Sequence, residues 1–162
     1  MTRADLVRGV LVCAAVVALD QASKAVVVAE VARGEQVEVL PFLDIANSRN
    51  SGVAFGLADG VSPAIIGAGL VLLLGLIAYL GARTSSGWAV WLAGGMVIGG
   101  AVSNLIDRVN RGSVVDFIDF SFWPTFNVAD MAIVIGVGLL VLAPLREPHG
   151  PAGDGASGER TT

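Results

Sequence analysis

GVSPAIIGAGLVLLLGLIAYLGA, residues 60–82, and TSSGWAVWLAGGMVIGGAVSNLI, residues 84–106, each run for 23 positions without a charged side chain, and Arg83 alone separates them. A spanning helix needs about 20 mostly apolar residues, so the pair reads as two membrane crossings joined by a tight turn over about 83–87. Working outward, 6–29 reads as a further span, with Arg8 near one end and Asp20 and Lys24 toward the other. Another runs over 128–145, but its uncharged part, 131–145, has only 15 residues, so Asp130 must stand at the membrane boundary or just inside it. The alternative for the first segment is a cleaved signal peptide, because Arg3 and Arg8 precede the apolar run 10–19. Against it, no small-x-small site precedes Asp20, and the apolar character resumes at 25–29.

Composition agrees with a membrane protein. Of 162 residues, 54% are hydrophobic, 21 more are glycine and only 15% are charged, where a soluble domain carries about 25% charge. Ten basic against 14 acidic residues, with no basic run, removes the electrostatic footprint of nucleic-acid binding. One cysteine excludes an internal disulfide framework, and one histidine, His149, excludes a His-rich metal site. Cys13 reads as a small packing residue. Glycines recur within the later spans, among them Gly94, Gly95, Gly99, Gly100, Gly136 and Gly138; in lipid, such residues let helices approach closely. The expectation is an all-α membrane protein of four transmembrane helices, one domain over 1–146, followed by a disordered tail over 147–162.

Parity then orders the connections. Each crossing reverses the side, so the long connections 30–59 and 107–127 emerge on one face, while both termini and the short turn share the other. Arginines number five on the terminal side (Arg3, Arg8, Arg83, Arg146, Arg160) against four on the other (Arg33, Arg49, Arg108, Arg111), which favours cytoplasmic termini. Alternation in Gln36-Val-Glu-Val-Leu40, closed by Pro41, predicts a strand and a small extramembrane sheet between the first two helices.

Ionisable groups at the mouths of spans are expensive to bury and ask for an explanation. Asp20 and Lys24 lie four apart on one helical face, either as a structural ion pair or as part of substrate handling. Asn104, Asp107 and Arg108 share a face, where the choice lies between a helix-terminal salt bridge and a binding role for the Arg108 fork. Asp116, between Val115 and Phe117, sits in an apolar setting that should raise its pKa, and Asp130 faces the same problem with Asn127 three residues earlier. Fourteen residues apart, on a connection that leaves and re-enters one membrane surface, these acids can converge into a proton-sharing dyad. They can equally be separate polar anchors, or parts of a proton-coupled transporter. Phe117, Phe120, Phe122, Trp123 and Phe126 read as an interfacial aromatic belt around them.

DQASK (20–24), NSRNSGVAFG (47–56), SNLIDR (103–108), GSVVDFIDF (112–120) and FNVAD (126–130) together resemble lipoprotein signal peptidase, the bacterial type II signal peptidase, from Asp20 to about Leu145. The resemblance implies an intramembrane aspartic endopeptidase of the bacterial inner membrane. Such an enzyme removes the signal peptide of a prolipoprotein just before its diacylglyceryl-modified cysteine. By motif, Asp116 and Asp130 would be the catalytic pair, and Asn50, Gly52, Asn104, Arg108 and Asn127 would position the substrate. Asp20, Lys24, Asp107 and Ala129 would support the site. The resemblance also implies lipidated prolipoproteins and membrane lipid as partners, a monomer, no metal or other cofactor, and a site at the extracytoplasmic face. Two departures stand out. Ser103 occupies a position where the family commonly has glycine, and Asn50-Ser-Gly-Val-Ala-Phe55 varies the family's usual pattern, which leaves local packing as the open point. The 116–130 loop is also short, which bears on any lid over the site.

Overall fold

The computed structural model describes residues 2–51, 75 and 87–143. The expected span at 60–82, the tail at 147–162 and Gly52 lie outside the described residues.

Helix α1 spans Arg3–Glu30. It starts at a capping box: the Thr2 hydroxyl accepts from the Asp5 N–H, and the Asp5 carboxylate accepts from the Thr2 N–H at 2.9 Å. Its far end is closed by tertiary structure, because the Asn47 side chain donates to the Val31 carbonyl at 2.7 Å. The chain then turns at Gly34, whose φ of +85° is open chiefly to glycine.

The sheet differs from the one expected. Strands β1 (Gln36–Leu40) and β2 (Leu43–Asn50) come from the first long connection as predicted, but β3 (Val114–Phe120) and β4 (Trp123–Phe126) come from the second. The order is β1-β2-β3-β4, all antiparallel. Residues 116–130 are thus largely a hairpin within the sheet and not the open loop read from sequence. The physical reason is pairing: β2 offers a second edge, and Val114-Val-Asp-Phe-Ile118 is β-branched and apolar enough to fill it. Phe117 is likewise a correction to the aromatic belt. It is buried against Val27 and Val31, with Ile45, Ile118 and Val128 around them, whereas Phe122 and Trp123 are 77% and 63% exposed.

Helix α2 spans Gly87–Arg111 and α3 spans Val128–Leu142. Helices α1 and α2, at 28 and 25 residues, are each long and apolar enough to cross a membrane; α3 has 15 residues. The glycines of α2 explain how tightly the helices pack. A Cβ at Gly99 would fall 2.9 Å from the Cys13 carbonyl oxygen on α1, and one at Gly95 would fall 2.6 Å from that of Gly9. On the opposite side Gly100 lies against the Ala129 carbonyl of α3, and Gly136 of α3 returns the contact against Ala93 and Val97. Helix α2 is therefore wedged between α1 and α3 at backbone-to-backbone distance. That wedge brings the polar ends of all three helices to one place.

Candidate active site

Asn127 is where the site begins, because one residue serves two elements. As N-cap of α3 its side chain accepts from the Asp130 N–H at 3.0 Å, and its own N–H donates to Asp130 Oδ2 at 3.3 Å, a reciprocal capping box. The same side chain donates to Asp116 Oδ1 on β3 at 2.7 Å and to Asn104 Oδ1 on α2 at 3.2 Å. Asp116 and Asp130 are thus brought to either side of one asparagine.

The rest of the polar shell closes around them. Asn50 donates to Asp116 Oδ2 at 3.0 Å. Its backbone is paired with Val114 while Asp116 pairs with Ser48, so the two side chains are diagonal neighbours on one sheet face. Asn104 donates to Asp130 Oδ1 at 2.8 Å. Asp116 is buried and Asp130 half-buried, so the pair sits at the edge of the protein interior with one member open to an incoming chain. Burial pushes the Asp116 carboxyl up to about 6 from its ordinary 3.8; the Asn50 hydrogen bond opposes this rise and the nearby Asp130 charge adds to it.

Arg108 lies beside the pair but does not bond to either acid. Its Nη1 donates to the Asn104 carbonyl at 3.4 Å, and its Nε is buried without a partner among the described residues. Asp107, on the same helical face by sequence, belongs to a buried ion cluster. Lys24 Nζ lies 2.6 Å from Asp20 Oδ2 and 2.9 Å from Asp107 Oδ2, and Arg111 caps the outer side of Asp107. Asp20, Lys24 and Asp107 are all fully buried. Ala129 is buried too, and its N–H donates to Asp20 Oδ1 at 2.9 Å.

Two participants escaped the sequence reading. The Ser103 hydroxyl donates to Asp20 Oδ2 at 2.7 Å, and Gln21 Nε2 donates to Ser103 Oγ at 3.0 Å and to Asp107 Oδ1 at 3.2 Å. Ser103 is therefore a hydrogen-bonding member of the cluster, beyond the packing question raised by a serine in a glycine position. The available signal was spacing, since Ser103 and Asp107 stand four apart on α2 and Gln21 adjoins Asp20.

Known proteins resemble this chain over most of its length. The family model described as Signal peptidase (SPase) II matches residues 12–146. The lipoprotein signal peptidase of Desulfitobacterium hafniense (strain DSM 10664 / DCB-2) is 40% identical over 132 residues, covering 80% of this chain and 87% of its own. That of Brevibacillus brevis is 39% identical over 135 residues, covering 82% and 91%. A solved bacterial membrane enzyme, determined by the in meso method at 1.9 Å resolution, superposes with a TM-score of 0.66 at 30% identity, covering 86% of this chain and 93% of that one. A second, at 2.3 Å, gives a TM-score of 0.67 at 32% identity, covering 85% and 87%.

Proposed function

The chain belongs to the signal peptidase II family, and from that premise we propose that it is an intramembrane aspartic endopeptidase. It cleaves diacylglyceryl-modified prolipoproteins just before the lipidated cysteine, with Asp116 and Asp130 as its catalytic pair. The observation that carries this reading is the position of Asn127, bonded through its side chain to Asp116 at 2.7 Å and through its main chain to Asp130 at 3.3 Å. Two carboxyls held this way, one of them buried, favour a single shared proton.

In the active form the proton is held by Asp116, the more deeply buried acid and the one whose pKa is lifted to about 6. Asp130, half-buried and oriented by the Asn104 amide, accepts a proton from water as that water attacks the scissile carbonyl. Asp116 gives its proton to the carbonyl oxygen, forming a neutral gem-diol. On collapse the C–N bond breaks, the leaving amine takes the proton from Asp130, and a diol hydroxyl returns one to Asp116. Acid–base help of this kind contributes on the order of 100- to 10,000-fold. Arg108, whose buried Nε has no partner among the described residues, is suited to hold a substrate carbonyl, and Asn50 to align the peptide along β2. With the termini cytoplasmic and the sheet extracytoplasmic, the acyl chains stay in lipid while the peptide enters the polar mouth.

The test is to make Asp116→Asn and Asp130→Asn separately and assay cleavage of a lipidated precursor by each folded variant. Loss of cleavage in both is expected; full activity in either would sink the pair.

A further inference from the structure

The buried ion cluster does not touch the reacting positions, yet it holds the backbone behind both of them. Asp20 accepts the peptide N–H of Ala129 at 2.9 Å, and Ala129 immediately precedes Asp130. Asp107 accepts the peptide N–H of Val115 at 3.1 Å, and Val115 immediately precedes Asp116. Lys24 stands between the two carboxylates, bridging them at 2.6 and 2.9 Å. It also donates to Asn104 Oδ1 at 3.1 Å, which turns the Nδ2 of that amide toward Asp130.

No carboxylate in this cluster can rotate freely. Asp20 uses Oδ1 for Ala129 and Oδ2 for Lys24 and Ser103. Asp107 uses Oδ2 for Lys24 and Val115 and Oδ1 for Gln21 and Arg111. Two acids are balanced by Lys24 and Arg111, so the cluster is electrically neutral in a setting where a lone charge would be expensive. Stability alone is a poor reason for it, because a buried ion pair does little better than well-packed apolar residues of the same volume.

We propose that Asp20, Lys24 and Asp107 are positioning residues that form a yoke, setting the separation and mutual orientation of Asp116 and Asp130. The inference rests on the catalytic-pair reading above. Its logic is geometric: each end of the yoke grips the peptide unit leading into one acid, and Lys24 fixes the distance between the ends. A displacement of about 1 Å in a reacting group costs about 100-fold in rate. The charged groups that face Asp116 are Asp130 from α3 and Lys24 from α1.

The experiment uses the full chain in lipid and two charge-conserving double variants, Lys24→Met with Asp20→Asn and Asp107→Asn with Arg111→Gln. Each removes one positive and one negative charge and leaves the net charge unchanged; because Lys24 itself faces Asp116, the Asp107→Asn with Arg111→Gln variant, which keeps Lys24, is the one whose altered pH profile reports geometry. Expected for a variant that unfolds cooperatively are a kcat lowered by about 30-fold or more, a KM within about threefold of wild type, and a displaced alkaline limb in the pH profile, the limb that Asp116 sets. A folded variant that keeps the wild-type kcat, or keeps the limb in place whatever its rate, overturns the proposal. Failure of both variants to fold overturns it as well, since the cluster would then be holding the fold itself. Asp116→Asn and Asp130→Asn assayed alongside separate the two ideas. If both are inactive while a double variant behaves as wild type, only the yoke falls; if either retains full activity, the pair falls first.

Discussion

Asp116 carries opposite demands for stability and activity. Its carboxyl titrates near 3.8 when unfolded and about 6 when folded, so protonation favours the folded state. The stability it contributes is fully present below pH 4 and is lost as pH rises through 6. Asp116→Asn removes that dependence. The variant is expected to be inactive yet more stable at pH 7.5 by on the order of 1 kcal/mol, with a thermal midpoint that no longer falls between pH 4 and 7; thermal unfolding at several pH values checks it. If the same group holds the catalytic proton, kcat/KM declines above a pH of about 6 in the free enzyme. A rising limb there would reverse the roles assigned to the two acids.

Elements place these residues at junctions. Asn127 caps α3 and bonds Asp116 on β3 as well. Asn127→Ala removes a cap, worth about 1 kcal/mol, and leaves a buried carboxyl short of a donor, worth about 1–3 kcal/mol. Its expected signature is a loss of stability together with a loss of cleavage, whereas an ordinary cap would cost stability alone; paired unfolding and activity measurements distinguish them. Helix packing is the other element-level determinant. Gly99→Val would drive a side chain into the Cys13 carbonyl, which a Cβ already meets at 2.9 Å. Overpacking of this kind costs about 1–3 kcal/mol and would separate α1 from α2, pulling Lys24 away from Asp107; the stability loss should therefore be accompanied by a fall in kcat. The helical elements were legible in sequence because charge-free runs are local signals. Strands β3 and β4 were not, because Val114–Phe120 becomes a strand by pairing with β2, more than sixty residues earlier.

The whole molecule brings one polar cluster to the end of an apolar bundle. Helices α1 and α2 are long enough to span, and the acids sit where α2, the sheet and α3 meet. This arrangement suits a substrate whose lipid stays in the bilayer while its peptide reaches the acids. A precursor peptide lacking the diacylglyceryl group is expected to be cleaved with kcat/KM at least about 100-fold lower, through KM above all. Equal cleavage of the two forms would mean that the membrane contributes nothing to recognition.

By itself the sequence placed this chain in a membrane and carried the expectations that its polar residues gather on one side and that Asp116 and Asp130 are candidate acids. Those conclusions follow from where charge is missing, a property of the chain read in order. Only the tertiary structure decided that Asp107 joins Lys24 and Asp20 in a buried ion cluster, that Ser103 is a hydrogen-bonding partner, and that Phe117 is core and not belt. It also decided that each acid is gripped through the peptide unit before it. Those facts depend on which backbone N–H meets which carboxylate across α1, α2, β3 and α3. Contacts between segments so distant along the chain leave no periodicity in the sequence.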